Sequence, residues 1–446
     1  MSRIFFDIEG AKGISIECNP GDNLLEVARR ANVAIDAPCS GNGSCGKCRV
    51  KLVAGELDSI KSRHISDEEW AIGWRLSCNS RVVGDATVFV PDIASAYQSR
   101  MKTADLSTGK EVAIFEELQA NLKAAGVDFT NDFMALDLVM AEPTLDDTMP
   151  DVERLEWAVK SQVEAEFVKI PFAVMQKLAA TLRDNNFHVC VKGRYTGDTF
   201  HCMDICAPED NQLLGCAIDI GTTTVSMVIV DMTSGKILAK GSSGNGQIRY
   251  GADVINRIIE QGREGGKKKL QDAIVKETLT PIIANLCKSI GVSARSILQL
   301  CIASNTTMNH LLLGVDAQPI RMEPYIPSFF GWEGLLAGDL KLPAHPLAPV
   351  RIAPNIGSYV GGDITAGTLA SLIWDKDEMS LFIDLGTNGE LVFGNRDFLM
   401  SCACSAGPAF EGGDISCGMR ATDGAIEACR IDCATMEPSS HAEGLR

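Results

Sequence analysis

This sequence has fewer basic than acidic residues. It also lacks long apolar runs and a segment with the pattern of an export leader. Acidic residues outnumber basic ones, which gives a formal net charge of −17. Such a charge disfavours nucleic acid and anionic membrane surfaces as partners, because both repel an acidic protein. No apolar run has the length of a transmembrane helix, and no basic segment followed by an apolar core stands at the start. We therefore expect a cytoplasmic protein with no nucleic acid and no membrane as partner.

Cysteine, in contrast, is abundant. The chain of 446 residues has sixteen cysteines, and without an export signal these indicate a reducing compartment more than a set of disulfides. Its length predicts two to four domains, each with its own core.

Four of the cysteines form the most informative motif. Cys39, Cys45 and Cys48 lie together in a glycine-rich segment, and Cys78 follows thirty residues after Cys48. Three thiolates in one loop and a distant fourth can hold two iron atoms, and five residues between the first two ligands is the spacing of adrenodoxin-like ferredoxins. The plant-type pattern has four residues there. We predict a [2Fe–2S] cluster bound by these four cysteines.

Two other interpretations of these cysteines stay open. Structural zinc sites usually use two close pairs of cysteines, whereas this motif has a triplet and a single residue. A disulfide set is disfavoured by the expected compartment. Gly41, Gly43 and Gly46 would let the backbone approach the sulfurs closely and direct amide groups at them.

The surrounding pattern predicts a β-grasp ferredoxin domain over residues 1–92. Two short strands are expected at residues 4–8 and 13–18, and a helix begins behind Asp22 and Asn23. Further strands are expected directly after Cys48 and at residues 87–90. Cys18 follows the strand periodicity and is interpreted as a small core residue.

The next part of the chain predicts a linker and a small α/β domain. Residues 93–112 have weak periodicity and are interpreted as the linker, and residues 113–210 as the middle domain. Helices are expected at 112–126, 152–163 and 171–182, with a strand at 187–191. His188, inside that strand, is interpreted as a structural residue.

A second strong signal is a repeated hairpin. The pattern Asp-aliphatic-Gly-Thr occurs first at Asp219 and again at Asp384, each time after a strand rich in aliphatic residues. Two such hairpins about 165 residues apart are the mark of actin-like (ribonuclease H-like) ATPases. Glycine lets turn amides approach phosphate oxygens, threonine adds donors, and each aspartate can organise Mg²⁺ and water. We assign catalytic roles to Asp219 and Asp384, and phosphate contacts to Gly221, Thr222, Thr223, Gly386, Thr387 and Asn388. An actin-like fold without nucleotide is the alternative.

Three further segments fit that fold. Residues 304–310 would open a helix after a strand, with His310 a packing residue, and residues 361–367 would start another helix capped by Asp363. Residues 405–414 lie where phosphates should bind, and Glu411 there could contact Mg²⁺ or water. The nearby cysteines at 402, 404 and 417 are interpreted as small core residues, with a second cluster as the alternative.

A ferredoxin followed by an actin-like ATPase is a rare pairing, and the whole chain resembles the reductive activators of corrinoid proteins. The resemblance includes the cysteine segment, residues 142–155, 250–258, 304–308 and 406–413. It implies an α+β multidomain protein that passes one electron from a [2Fe–2S] cluster to cobalt(II) of a corrinoid protein in a methyltransferase system, at the expense of ATP with Mg²⁺. It also implies an external low-potential electron donor and allows a homodimer.

One departure from that family concerns the second lobe. The actin-like domain is expected at residues 213–446, with lobe one at about 215–380 and only a partial lobe two at 381–446. We expect a truncated or frame-shifted chain, or a lobe completed by a second polypeptide. Two other functions stay open: the activator ATPase of a 2-hydroxyacyl-CoA dehydratase, which has no N-terminal ferredoxin, and a non-catalytic redox-sensing or interaction protein.

Overall fold

A computed structural model describes residues 2–8, 13–31, 33, 35, 46, 48–91, 109–251, 253–406, 426–431 and 435–442. These residues form five β-sheets and the helices that accompany them, an α+β multidomain fold. Within these ranges, no helix is long and apolar enough to cross a bilayer. Several predicted residues lie outside the described ones: Cys39, Gly41, Gly43, Cys45, Glu411 and Cys417.

The N-terminal domain is a β-grasp sheet with the strand order β2-β1-β5-β3-β4. Its strands are β1 (Ser2–Ile8), β2 (Ile14–Cys18), β3 (Arg49–Ser59), β4 (Trp74–Leu76) and β5 (Ser80–Val90). β1 and β5 are parallel, and the other neighbouring strands are antiparallel. The strands predicted in β1, β2 and β3 are confirmed, whereas β5 is longer than predicted and β4 was not predicted.

Local sequence explains the two helices of this domain. The helix Leu24–Arg30 begins after Asn23, whose side-chain oxygen accepts a hydrogen bond of 3.0 Å from the amide of Leu25. The helix Asp67–Ala71 begins with a capping box, because Ser66 and Glu69 exchange side-chain-to-backbone hydrogen bonds. Cys18 is buried in the core of the domain, as predicted.

The middle domain is a four-stranded sheet in the order β6-β8-β9-β7. Its strands are β6 (Phe133–Val139), β7 (Phe167–Lys169), β8 (His188–Thr196) and β9 (Thr199–Cys206), and its helices are Gly109–Ala124, Asp151–Gln162 and Phe172–Asp184. All three predicted helices are confirmed, although the first begins at Gly109, inside the segment interpreted as a linker. His188 pairs with Asp137 at 2.7 Å, which agrees with a structural role.

The first lobe of the actin-like domain is a mixed sheet in the order β12-β11-β10-β13-β14. Its strands are β10 (Leu214–Ile220), β11 (Thr224–Asp231), β12 (Ile237–Gly244), β13 (Ile297–Ser304) and β14 (Val350–Ile352). The principal helices are Val254–Gln261, Gly266–Ile274, Thr280–Ser289, Thr306–Leu313 and Gly362–Ser371. β10 is antiparallel to β11 but parallel to β13, so Asp219 lies near the carboxyl end of β13.

The described residues of the second lobe begin with an antiparallel sheet of β15 (Ser380–Leu385), β16 (Asn388–Gly394) and β17 (Leu399–Ser405). A separate pair, β18 (Ile426–Ile431) and β19 (Pro438–Ala442), follows. The helix Gly362–Ser371 reaches this sheet at Gly367, where an added Cβ would lie 2.5 Å from the ring of Phe382. The prediction that Cys402 and Cys404 are core residues is wrong, since both are exposed on the outer strand β17.

Candidate functional site

Two of the four predicted cluster ligands lie together in the structure. Cys48 stands immediately before β3, and Cys78 lies in the 3₁₀ turn Ser77–Asn79 between β4 and β5. Their Sγ atoms are 3.2 Å apart, and both residues are buried. Folding of the β-grasp sheet therefore joins cysteines that are thirty residues apart in the sequence.

Backbone hydrogen bonds hold these two cysteines in place. The carbonyl of Cys48 accepts a hydrogen bond of 2.8 Å from the amide of Ser77, and the carbonyl of Cys78 accepts one of 2.7 Å from the side chain of Asn23. Asn23 also starts the helix Leu24–Arg30. The positions of both sulfurs thus depend on the strand ends and on the first helix.

Gly46 shows why the cysteine segment needs glycine. Its φ is +68°, and an added Cβ would lie 2.5 Å from the Cβ of His64. A side chain would be strained by the backbone conformation and by this contact. Glycine is therefore required at position 46 by the packing against His64, and the predicted approach of its backbone to the sulfurs stays a prediction.

The pair of thiols fits an iron–sulfur cluster. Both sulfurs are soft ligands and converge in an apolar core that keeps water away. In the part of the chain that the structure describes, no group of three or more His, Cys, Asp or Glu side chains is placed to hold a metal ion. Cys39 and Cys45, which complete the predicted ligand set, lie outside the described residues.

The two predicted hairpins of the actin-like domain contact each other. The hydroxyl oxygens of Thr223 and Thr387 are 2.7 Å apart, and the two residues lie immediately before β11 and β16. The turns are closed by hydrogen bonds of 2.9 Å from the Gly221 amide to the Thr224 carbonyl and from the Gly386 amide to the Asn388 carbonyl. The structure therefore brings the two copies of the motif together between the lobes.

Buried polar side chains of the first lobe donate hydrogen bonds to the turn of the first hairpin. The side-chain amide of Asn245 donates to the carbonyl of Gly221 at 2.9 Å, and the fully buried guanidinium of Arg257 donates to the carbonyl of Thr222. Asn305 donates to the Thr222 hydroxyl at 3.3 Å and caps the helix Thr306–Leu313 through its oxygen.

Thr222 is therefore buried and held by these side chains, whereas the hydroxyl of Thr223 contacts Thr387 of the other lobe. The sequence did not assign these roles to Asn245, Arg257 and Asn305. Arg257 and Asn305 do lie in segments that carried the family resemblance.

Four carboxylates share the region beside the hairpins. Burial raises the pKa of Asp219 to about 6, and the negative charges of Asp363 and Asp384 add to this rise. Burial, with the same two neighbours, raises the pKa of Glu390 to about 7. Burial also raises the pKa of Asp363. Since like charges resist being placed together, a cation that bound here would relieve the repulsion.

The sequence missed two members of this group. It predicts Asp363 as a helix cap, but Gly361 is the N-cap, and Asp363 lies in the first turn with its carboxylate 2.9 Å from the amide of Ile364. Glu390 was not singled out, although it lies directly opposite Asp384 in the β15–β16 pairing. The sequence did contain one signal for Glu390, which is its position two residues after Asn388, a predicted phosphate contact.

Two cavities border this region. The smaller, of about 470 Å³, lies between the lobes and is lined by Asn305, Thr307, Tyr359, Asn388 and Glu390, among others. Its volume is within the range of small-molecule sites. Its lining has carboxylates but no Lys or Arg among the described residues. The larger, of about 940 Å³, lies between the first-lobe sheet and the helix Gly362–Ser371 and includes Asp219 and Ala366.

Two other segments near the site were also given roles by the sequence. His310 is a packing residue, as predicted: it is fully buried, stacks on Phe329 at 4.4 Å, and its Nδ1 lies 2.8 Å from the Thr306 carbonyl. The phosphate-loop prediction for residues 405–414 falls mainly outside the described residues.

Family models match four successive parts of the chain. The 2Fe-2S iron-sulfur cluster binding domain matches residues 6–83, and the RACo linker region matches residues 123–205. The RACo middle region matches residues 214–376, and the C-terminal domain of RACo, the ASKHA domain, matches residues 378–444.

Individual proteins agree with these matches. A solved structure of a reductive activator for corrinoid, iron-sulfur protein is 35% identical, with a TM-score of 0.59, and the match covers 100% of this chain and 69% of that one. The chain belongs to the reductive activators of corrinoid proteins. This membership agrees with the resemblance found in the sequence and with its α+β multidomain fold.

Curated relatives extend the comparison. Corrinoid activation enzyme RamQ of Eubacterium limosum is 30% identical over 415 residues, which is 92% of this chain and 62% of RamQ. The chain thus spans less than two thirds of the length of RamQ. One component of the Na(+)-translocating NADH-quinone reductase of Pseudoalteromonas atlantica is 34% identical over 92 residues, 20% of this chain and 22% of that component.

Proposed function

We propose that this chain uses ATP to drive one electron from a [2Fe–2S] cluster to the cobalt of a corrinoid protein in a methyltransferase system. Cobalt(II) accepts the electron and becomes cobalt(I), and an external low-potential donor then restores the electron to the chain. The observation that carries the proposal is the presence in one chain of a ferredoxin domain and of two Asp-aliphatic-Gly-Thr hairpins that are in contact at Thr223 and Thr387.

Energetics explain why these two parts would be joined. A [2Fe–2S] cluster of the ferredoxin type supplies single electrons at about −400 mV. Every further 59 mV of uphill transfer costs about 1.4 kcal/mol for one electron. Nucleotide hydrolysis linked to a change in lobe arrangement is a source of that free energy, and an ATPase domain in the same chain can deliver it to the ferredoxin domain.

The proposal assigns the cluster to the ferredoxin domain and the nucleotide to the two hairpins. Cys39, Cys45, Cys48 and Cys78 hold the cluster, and Asp219 and Asp384 organise Mg²⁺ and water. The phosphates contact the two turns at Gly221, Thr223, Gly386, Thr387 and Asn388, whereas Thr222, also predicted as a contact, is buried beneath the first turn and holds it in place. The protein works in the cytoplasm, and a homodimer is compatible with this arrangement.

The need for Mg²⁺ has a basis in the site itself. The inter-lobe cavity presents Asp253 and Glu390, with Asp363 and Asp384 close to Glu390. A triphosphate brought alone to this surface meets like charge. A divalent cation held by these carboxylates would remove the repulsion, and oxygen ligands are those that Mg²⁺ prefers.

The test is ATP-dependent formation of cobalt(I). The reconstituted, reduced chain is mixed with a cobalt(II) corrinoid protein, and the absorbance of cobalt(I) is followed with MgATP, with a non-hydrolysable analogue and without nucleotide. We expect MgATP alone to give full reduction. Equal reduction in all three samples would show that nucleotide hydrolysis has no part in the transfer.

A further inference from the structure

Glu390 is a buried carboxylic acid that lines the cavity between the lobes. Only 6% of the residue is exposed, and its side chain lines the cavity between the lobes beside Asn388. Among the described residues its carboxylate has no ion pair and accepts no hydrogen bond. Burial and the neighbouring charges of Asp363 and Asp384 disfavour the ionised form of Glu390, and its carboxyl group is left for a hydrogen-bond donor that enters the cavity.

The neighbours of Glu390 across the cavity are hydrogen-bonding groups of the first lobe. Asn305 and Thr307 line the cavity and lie at the start of the helix Thr306–Leu313, and a helix N-terminus favours negative charge. The two phosphate turns meet nearby at Thr223 and Thr387. A carboxylate at this position is poorly suited to bind phosphate oxygens directly, because both are negative, but it can accept a hydrogen bond from water.

We propose that Glu390 positions the water that attacks the terminal phosphate of a bound nucleoside triphosphate. The inference rests on the proposed function and adds a residue to it. Asp219 and Asp384 then organise the Mg²⁺ and its bound waters, whereas Glu390 orients the one water that reacts.

The other carboxylates are less suited to this part. Asp253 also lines the inter-lobe cavity, but its two oxygens already accept hydrogen bonds from the backbone and side-chain nitrogens of Asn256. Asp363 already accepts a hydrogen bond from the amide of Ile364. Asp219 lines the larger cavity beside the first-lobe sheet and is not among the described residues that line the inter-lobe cavity. Asp384 lies opposite Glu390 in the β15–β16 pairing, but of these two only Glu390 lines the inter-lobe cavity. One extra methylene also lets Glu390 reach further from its strand than an aspartate would.

The chemical step balances with water and the triphosphate alone. The water oxygen forms a bond to the terminal phosphorus, and the bond from that phosphorus to the bridging oxygen breaks. The nucleoside diphosphate leaves with the bridging oxygen. One proton of the water stays on the phosphate product, and the other passes to solvent by way of the Glu390 carboxylate.

The experiment compares Glu390→Gln, Glu390→Asp and the parent chain. Glu378→Gln is the matched control, because Glu378 is exposed and lies just before β15. Binding of MgATP is measured by titration with a fluorescent ATP analogue, and hydrolysis by phosphate release. We expect both Glu390 variants to bind within about threefold of the parent, while kcat falls about 10²–10⁴-fold, the usual loss when a proton-transfer group is removed.

The outcomes separate this inference from the proposed function. Hydrolysis by Glu390→Gln at the parental rate would overturn the role of Glu390 and leave the proposed function standing. Loss of nucleotide binding together with hydrolysis would also overturn it, since Glu390 would then act in binding or folding. A parent chain that neither binds nor hydrolyses MgATP would overturn the proposed function, and this inference with it.

Discussion

The hydroxyl of Thr223 lies 2.7 Å from the hydroxyl of Thr387, across 164 residues of sequence. The two hairpins that carry the repeated motif are therefore in direct contact. Each turn also has its own closing hydrogen bond, so the contact joins two preformed turns. Such a contact couples the lobes, and a phosphate that entered between the turns would have to replace it.

The first prediction is that this contact has measurable energy. Thr223→Val and Thr387→Val each remove one hydroxyl and keep the shape of the side chain. We expect a coupling free energy of about 0.5–1.5 kcal/mol in a double-mutant cycle, the usual net value of one hydrogen bond. The measurement is the calorimetric transition of the actin-like domain. A cycle of Thr223→Val with Thr144→Val, in the middle domain, should be additive, and additivity in both cycles would contradict the contact.

The second prediction concerns the cluster ligands. Cys78→Ser should abolish the [2Fe–2S] EPR signal and corrinoid reduction, because serine oxygen is a harder and weaker ligand for this iron. The same result is expected for Cys39, Cys45 and Cys48. Cys18→Ser is the control, since Cys18 is a core residue whose Sγ lies 3.5 Å from the carbonyl of Ser2. A normal signal from Cys78→Ser would remove Cys78 from the ligand set.

Local sequence was sufficient for most elements but not for the composition of the site. Strand alternation and the Asn23 cap specify the ferredoxin elements within a few residues, because both depend on neighbours along the chain. The meeting of Asp363 with Glu390 depends instead on how a first-lobe helix packs against the second-lobe sheet. No short window of sequence contains that information.

The same limit explains the error at Cys402 and Cys404. Their small apolar side chains suggest a core, but β17 is the outer strand of its sheet and both residues are exposed. Burial is a property of the assembled layers, and composition alone could not supply it. The four predicted cluster cysteines could be recognised from the sequence, unlike the burial of Cys402 and Cys404. Their spacing along the chain reflects the geometry of the group that they are predicted to bind.

The third prediction follows from the raised pKa of Glu390. Because burial and then the charges of Asp363 and Asp384 raise this pKa to about 7, the native state favours the protonated carboxyl. The stability it contributes is full below the ordinary glutamate pKa of about 4.3 and is lost as the pH rises through about 7. Without divalent cations, Glu390→Gln should therefore be more stable than the parent at pH 8, and the difference should shrink toward pH 5.

Urea unfolding at pH 5, 6, 7 and 8 in EDTA measures this difference. Glu378→Gln serves again as the control, and its difference from the parent should stay constant across the series. A difference for Glu390→Gln that did not grow with pH would contradict the unfavourable ionisation of Glu390.

The fourth prediction concerns the metal. Since the described lining of the inter-lobe cavity has carboxylates and no Lys or Arg, ATP should bind at least about tenfold more weakly in EDTA than with Mg²⁺, a difference of about 1.4 kcal/mol. Titration with a fluorescent ATP analogue measures both affinities. Equal affinity in EDTA would mean that the phosphates bind elsewhere, at a site with cationic side chains.

The last prediction concerns coupling between the two ends of the chain. Asp219→Ala and Asp384→Ala should leave the iron–sulfur spectrum unchanged, because the ferredoxin domain has a separate core. ATP-stimulated cobalt(I) formation should fall by about 10²–10³-fold, since a carboxylate that organises Mg²⁺ and water acts on the charge of the transition state. Reduction of cobalt by a strong artificial donor should survive, because that route needs no nucleotide.

A purely structural role for these aspartates gives a different pattern. If they only stabilised the hairpin turns, the melting temperature would drop while the ratio of cobalt(I) formed with and without ATP stayed at the parental value. Melting temperature and this ratio are therefore measured on the same samples. A parental ratio in both variants would remove Asp219 and Asp384 from the nucleotide site, because a residue that organises the reacting phosphate cannot be lost without reducing the stimulation.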